Sequence, residues 1–127
     1  MSKDPRIIVA LDFSSETEAM TLVDKLDPRL CRLKVGITMF TQYGPAFVEA
    51  LMKKGFSIFL DLKFHDIPHQ VAGACRSAAE MGVWMLTIHT LGGPKMCEVA
   101  ADAISGYSHR PKLVGVTILT SSDQDDL

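Results

Sequence analysis

The run Asp61-Leu62-Lys63-Phe64-His65-Asp66-Ile67-Pro68 sets a lysine between two carboxylates in one short stretch. It follows Ser57-Ile58-Phe59-Leu60, which reads as a buried strand, and Pro68 then opens a helical pattern. Ionisable groups therefore crowd the carboxyl end of a strand, where α/β folds place their chemistry. On an extended backbone Asp61 and Lys63 point to the same face, because side chains alternate along a strand. Asp66 follows in the turn. An acid, a base and a second acid at one strand end can hold a reacting anion between opposite charges. Such a cluster costs desolvation energy, which marks it as a candidate functional site.

Two more charges belong with it. Asp12 closes the apolar run Ile7-Ile8-Val9-Ala10-Leu11, and Lys34 lies inside Arg32-Leu33-Lys34-Val35. In a parallel sheet all these strand ends share one rim, so Asp12, Lys34, Asp61, Lys63 and Asp66 would form a ring of alternating charge. The plain alternative is a set of surface salt bridges, each worth about 1 kcal/mol or less. Against it, a lysine inside an apolar strand is an unusual place for a solvated charge. Singly, Asp12 could cap the helix after the first strand, and Lys34 could snorkel from a strand end. Thr120 could satisfy local backbone groups, and His89 is read as bracing the rim through hydrogen bonds.

The positioning elements follow from periodicity and turn signals. Strands are expected at 7–11, 32–35, 57–62, 84–89 and 113–119, the first buried on both faces. Helices are expected at 15–26, 44–55, 68–81 and 94–104, with the start of another at 123–127. Ser15 and Glu18 have capping-box spacing. Four βα units plus a fifth strand imply an α/β fold with a parallel sheet and right-handed crossovers. No Gly-rich phosphate fingerprint follows the first strand, where Ala10-Leu11-Asp12-Phe13-Ser14 stands instead.

Composition narrows the function classes. The chain has 127 residues, 47% hydrophobic and 22% charged, as expected for one globular domain. A net charge of −2 gives no footprint for nucleic acid. No apolar run is long enough for a membrane helix, and Met-Ser-Lys-Asp-Pro-Arg is no signal peptide. Three cysteines without metal-ligand spacing read as reduced thiols, which points to the cytoplasm.

The segment from Asp61 to Pro68 resembles the signature of the orotidine 5'-phosphate decarboxylase family. So do Leu33-Lys34-Val35-Gly36 with Met39-Phe40-Thr41 and Gly44-Pro45, and Val9-Ala10-Leu11-Asp12. His89 with Gly92-Gly93, and Val116-Thr117-Ile118-Leu119-Thr120-Ser121, fit in the same order. The resemblance runs from about Ile7 to Leu127. It implies a (β/α)8 TIM barrel of which residues 1–127 are the N-terminal half, since a closed barrel needs ~250 residues.

The family converts orotidine 5'-monophosphate to uridine 5'-monophosphate in pyrimidine biosynthesis, with no metal or organic cofactor. By resemblance Lys63 is the proton donor, Asp61 sits near the departing carboxylate, and Lys34 pairs with Asp61 and contacts the ribose. Asp12 accepts from ribose hydroxyls, and Thr120 or Ser121 bonds the pyrimidine. Asp66 crosses a homodimer interface to complete the neighbour's array. The segment Asp61, Leu62, Lys63, Phe64, His65, Asp66, Ile67, Pro68, His69 and Gln70 is expected to line the nucleotide site. The family usually has threonine where Gln70 stands here. Its phosphate grip and closing loop belong to the second half of the barrel, so these residues alone are expected to have little activity. The alternatives are a magnesium-dependent sugar-phosphate decarboxylase or synthase of the same superfamily, and a non-catalytic half-barrel. The former needs an acidic metal ligand on the second strand, where this chain has Lys34.

Overall fold

The computed structural model describes residues 4–126. Strands β1 (Ile7–Ala10), β2 (Cys31–Gly36), β3 (Ile58–Phe64), β4 (Met85–His89) and β5 (Lys112–Val116) alternate with four helices. These are α1 (Glu16–Val23), α2 (Ile37–Lys53), α3 (Pro68–Met81) and α4 (Pro94–Ile104). The strands make one parallel sheet in the order β1-β2-β3-β4-β5. Spatial order equals chain order, so the sheet has no reversal point; it winds as a sector of a (β/α)8 barrel does.

Local chemistry explains the element ends. Ser15 caps α1: its Oγ accepts from the Glu18 N–H at 3.2 Å and donates to the Glu18 carboxylate at 3.1 Å. α3 opens on Pro68 and stops at Gly82, which has φ 88°. The left-handed conformation selects glycine there, while a Cβ, 3.1 Å from Met52 Cε, would ask only a small shift of that flexible side chain.

The two faces of the sheet differ. Cys31, Leu33 and Val35 of β2, Ile58 and Leu60 of β3, and Leu86 and Ile88 of β4 are buried in the core with the inner faces of the helices. The alternate positions Arg32, Lys34 and Gly36 are half-buried on the opposite, open face. Polar side chains are tolerated there because one side of them reaches water.

Several expectations shift. Within residues 4–126 β1 is not buried on both faces; Ile7 is 63% and Ile8 38% exposed. Among the described residues it lies at the sheet edge, with a neighbour on one side only. β5 stops at Val116 instead of 119, because its partner β4 ends at His89, opposite Val116. α1 ends at Val23 rather than 26, and residues 24–26 tighten into turns whose N–H groups reach Met20, Leu22 and Val23. Helix begins at Ile37, well before the expected 44, and breaks at Gly44 (φ 67°, ψ −160°) before Pro45 restarts it. The earlier segment is held by buried Met39 and by Tyr43, whose hydroxyl accepts from the Glu16 N–H at 3.0 Å. At the end of the chain a 3₁₀ turn spans Gln124–Asp126, and Leu127 lies outside the described residues. No helix among the described residues is long and apolar enough to cross a membrane.

Cys31 and Cys75 are buried and Cys97 half-buried. Burial pushes the Cys75 thiol up to about 11. In the unfolded chain the same thiol ionises near its ordinary ~8.5. Between those values the native state holds more protons, so stability falls as pH rises through that window. Denaturant midpoints measured at about pH 8 and about pH 10.5 should show this loss, and Cys75→Ala should lessen it. An equal loss with and without Cys75 would remove the assignment.

Candidate active site

Neighbouring strand ends build the site. Gly36 pairs with Asp61 across β2 and β3, so Lys34, two residues earlier, shares the open face with Asp61. Asp12 follows β1, which pairs with β2 through Ala10 and Lys34. Lys34 Nζ lies 3.9 Å from an Asp12 oxygen and 3.9 Å from Asp61 Oδ2. Lys63 Nζ donates to Asp61 Oδ2 at 2.9 Å. Charge therefore alternates along Asp12, Lys34, Asp61 and Lys63. The Asp61 side chain is only 11% exposed, so it is the most desolvated charge of the four and the one that most needs its partners.

Lys63 reaches this position by an unexpected route. Its backbone is not extended but left-handed, with φ 51°, alone among the described non-glycine residues. Such a conformation costs about 1–2 kcal/mol in an ordinary L-residue. The β3–β4 register explains it: Leu60 pairs with Leu86 and Phe64 with Ile88. β3 thus has three residues, 61–63, where β4 has only Thr87. In this bulge the Lys63 N–H donates to Thr87 Oγ1 at 3.0 Å, and Thr87 Oγ1 donates to Asp61 Oδ1 at 2.8 Å. Thr87 is 3% exposed. The sequence carried no signal for it, since a threonine in an apolar strand reads as a strand former.

Of the expected residues, Asp12, Lys34, Asp61, Leu62, Lys63 and His65 line one open cavity of about 850 Å³. Phe13 and Ser14 after β1, Ile37 and Thr38 after β2, and His89 also line it. Their places just beyond strand ends were the signal that could have found the first four. His89 stacks on His65 with ring centroids 5.4 Å apart, and its Nδ1 accepts from the Leu91 N–H at 3.3 Å.

The structure does not bring Phe64, Asp66, Ile67, Pro68, His69, Gln70 or Thr120 to the cavity within one chain. The bulge ends at Phe64, which packs against the core. Asp66 is exposed, and its Oδ1 accepts the Ile67 N–H at 2.6 Å in the turn into α3. Ile67 is 64% exposed, while Pro68, His69 and Gln70 form the first turn of α3. Thr120 is exposed in the turn after β5, and Leu119 lines the cavity in its place.

The model of the orotidine 5'-phosphate decarboxylase / HUMPS family matches residues 5–127. The chain belongs to this family. It is 56% identical over 126 residues to an orotidine 5'-phosphate decarboxylase of Aliivibrio fischeri, covering 98% of this chain and 54% of that protein. It is 60% identical over 124 residues to the one of Nitrosospira multiformis, covering 98% of this chain and 51% of that protein. Among solved structures, the orotidine 5'-phosphate decarboxylase of Lactobacillus acidophilus superimposes with a TM-score of 0.84 at 37% identity. That match covers 96% of this chain and 57% of the other. The fold is thus the N-terminal portion of the decarboxylase TIM barrel, and the chain spans about half the length of the curated relatives it matches.

Proposed function

We propose that the whole protein decarboxylates orotidine 5'-monophosphate to uridine 5'-monophosphate, a step of pyrimidine biosynthesis, and that residues 1–127 are the N-terminal half of its single barrel domain. The observation that carries this reading is the alternating Lys34–Asp61–Lys63 contact at the mouth of a cavity. The names of the relatives support the same reaction over a magnesium-dependent one. So does Lys34, a cation on the strand where a metal ligand would be needed.

The chemistry suits these groups. The C6–carboxylate bond breaks, carbon dioxide leaves, and the bonding pair stays on C6 of the pyrimidine. No adjacent carbonyl is placed to spread that charge, so it must be stabilised by position and field. An ammonium at C6 does this, and transfer of its N–H proton to C6 gives the product. Lys63 is assigned that role. Asp61 holds Lys63 and lies beside the departing carboxylate, Lys34 pairs with Asp61 and contacts the ribose, and Asp12 accepts from ribose hydroxyls. Thr120 or Ser121 bonds the pyrimidine. Asp66, which does not line the cavity of its own chain, serves the site of a second copy in a homodimer, with Ile67, Pro68, His69 and Gln70 beside it. Leu62, Phe64 and His65 complete the segment around the nucleotide. The setting is the cytoplasm, and neither metal nor organic cofactor takes part.

The test is turnover of orotidine 5'-monophosphate by the whole protein, with and without a chelator. Formation of uridine 5'-monophosphate at equal rates is expected. No turnover, or turnover abolished by the chelator, would overturn the assignment.

A further inference from the structure

We propose that Thr87 is a positioning residue for this reaction: its hydroxyl alone fixes the bend of β3 that aims Lys63 and orients the Asp61 carboxylate. The proposal rests on the decarboxylase reading for its kinetic consequence, though not for its structural one.

The register makes the requirement concrete. Between the pairs Leu60–Leu86 and Phe64–Ile88, β3 carries two residues more than β4. A backbone N–H in such a bulge loses its ladder partner, and a buried N–H without a partner is strongly disfavoured. The Lys63 N–H finds Thr87 Oγ1 at 3.0 Å. The hydroxyl has one proton, and it goes to Asp61 Oδ1 at 2.8 Å. A carboxylate only accepts, so the direction of the relay is set: Lys63 N–H to Thr87 Oγ, then Thr87 O–H to Asp61. The other Asp61 oxygen is thereby turned toward Lys63 Nζ, 2.9 Å away, and Lys34 Nζ, 3.9 Å away.

One side chain on β4 thus closes a ring through the backbone of Lys63, the carboxylate of Asp61 and the ammonium of Lys63. Thr87 does not line the cavity, so it acts through the other two. Valine has the same shape and neither hydrogen bond. It would leave the Lys63 N–H and an Asp61 oxygen unpaired in a partly buried place, and the left-handed Lys63 would lose its restraint.

Two pairs of proteins isolate the hydroxyl: wild type against Thr87→Val, and Thr87→Ser against Thr87→Ala. Each pair is compared in the whole protein for kcat and KM. Within each pair the hydroxyl-free member should show kcat lower by about 10- to 100-fold with KM within about threefold, and Thr87→Ser should stay within about fivefold of wild type. Equal kcat within both pairs would overturn the proposal, as would a loss that falls wholly on KM. If Thr87→Val does not fold, the serine–alanine pair decides by the same criterion. Amide exchange at Lys63 supplies a readout that needs no turnover. Protection in wild type and Thr87→Ser, with loss in Thr87→Ala, is expected. A wild type that fails to turn over orotidine 5'-monophosphate while keeping this exchange pattern would sink the decarboxylase reading and leave the positioning role standing. Unchanged exchange in every variant would sink the positioning role.

Discussion

Replacing Lys63 with methionine is expected to lower kcat/KM for orotidine 5'-monophosphate by about 10⁵-fold or more in the whole enzyme. Two losses combine. Proton delivery by a positioned group contributes typically about 10²–10⁴-fold. A unit charge ~4 Å from a developing carbanion contributes about 4 kcal/mol at an effective dielectric near 20, close to a further 10³-fold. Methionine keeps the length of the side chain and removes both the charge and the proton. Steady-state loss of the orotate absorbance checks it, and activity within tenfold of wild type would refute the role. Folding is separable from this effect, because Lys63 has φ 51°. Lys63→Gly should be as inactive as Lys63→Ala, and both lose the pairing with the 11%-exposed Asp61. Glycine should nevertheless melt above alanine, because it relieves about 1–2 kcal/mol of backbone strain. A melting temperature for Lys63→Gly at or below that of Lys63→Ala would mean that the left-handed conformation is not a strained one.

The second large effect is expected at Asp61. Asp61→Asn should lower kcat by about 10³-fold, with KM not reduced. The carboxylate stands between two ammonium groups, 2.9 Å from Lys63 Nζ and 3.9 Å from Lys34 Nζ, and also accepts from Thr87. Neutralising it leaves two cations facing each other, and Lys63 loses the group that aims it. A competing account has Asp61 act mainly by repelling the substrate carboxylate, which would make the variant bind substrate more tightly. The structure argues against a large repulsion, because two cations already offset the Asp61 charge. Substrate KM and the dissociation constant of the product nucleotide, measured together, separate the accounts. A KM that falls tenfold or more as kcat falls would favour repulsion. Stability should drop by about 1–3 kcal/mol, the usual cost of losing a hydrogen bond to a charged group.

The order of the elements, the winding of the sheet and the charged residues at its rim were legible in the chain itself. Cys31–Gly36, which alternates apolar with charged residues, and the mostly apolar Met85–His89 read as strands from their own pattern, and Pro68 and Gly82 bound a helix by their own backbone limits. Asp12, Lys34, Asp61 and Lys63 could be gathered on one rim, because parallel strands all end on the same side. Their type and spacing therefore specified the charged centre of the candidate site, though not the rest of its lining.

Tertiary structure decided the rest. Ile7 and Ile8 are exposed within residues 4–126 because β1 has one neighbour there, an edge that a closed barrel does not have. The early start of α2 at Ile37 is held by buried Met39 and by the distant contact from Tyr43 to Glu16. Asp66 is a neighbour of the cluster in sequence and not in space, because the turn into α3 takes its carboxylate for the Ile67 N–H. Above all, the left-handed Lys63 and the hydroxyl of Thr87 exist as a pair only once β3 and β4 lie side by side with unequal residue counts. A chain can declare which groups it carries and in what order. How a bulge aims one of them is settled by pairing energy between strands more than twenty residues apart, and that energy appears only in the folded molecule.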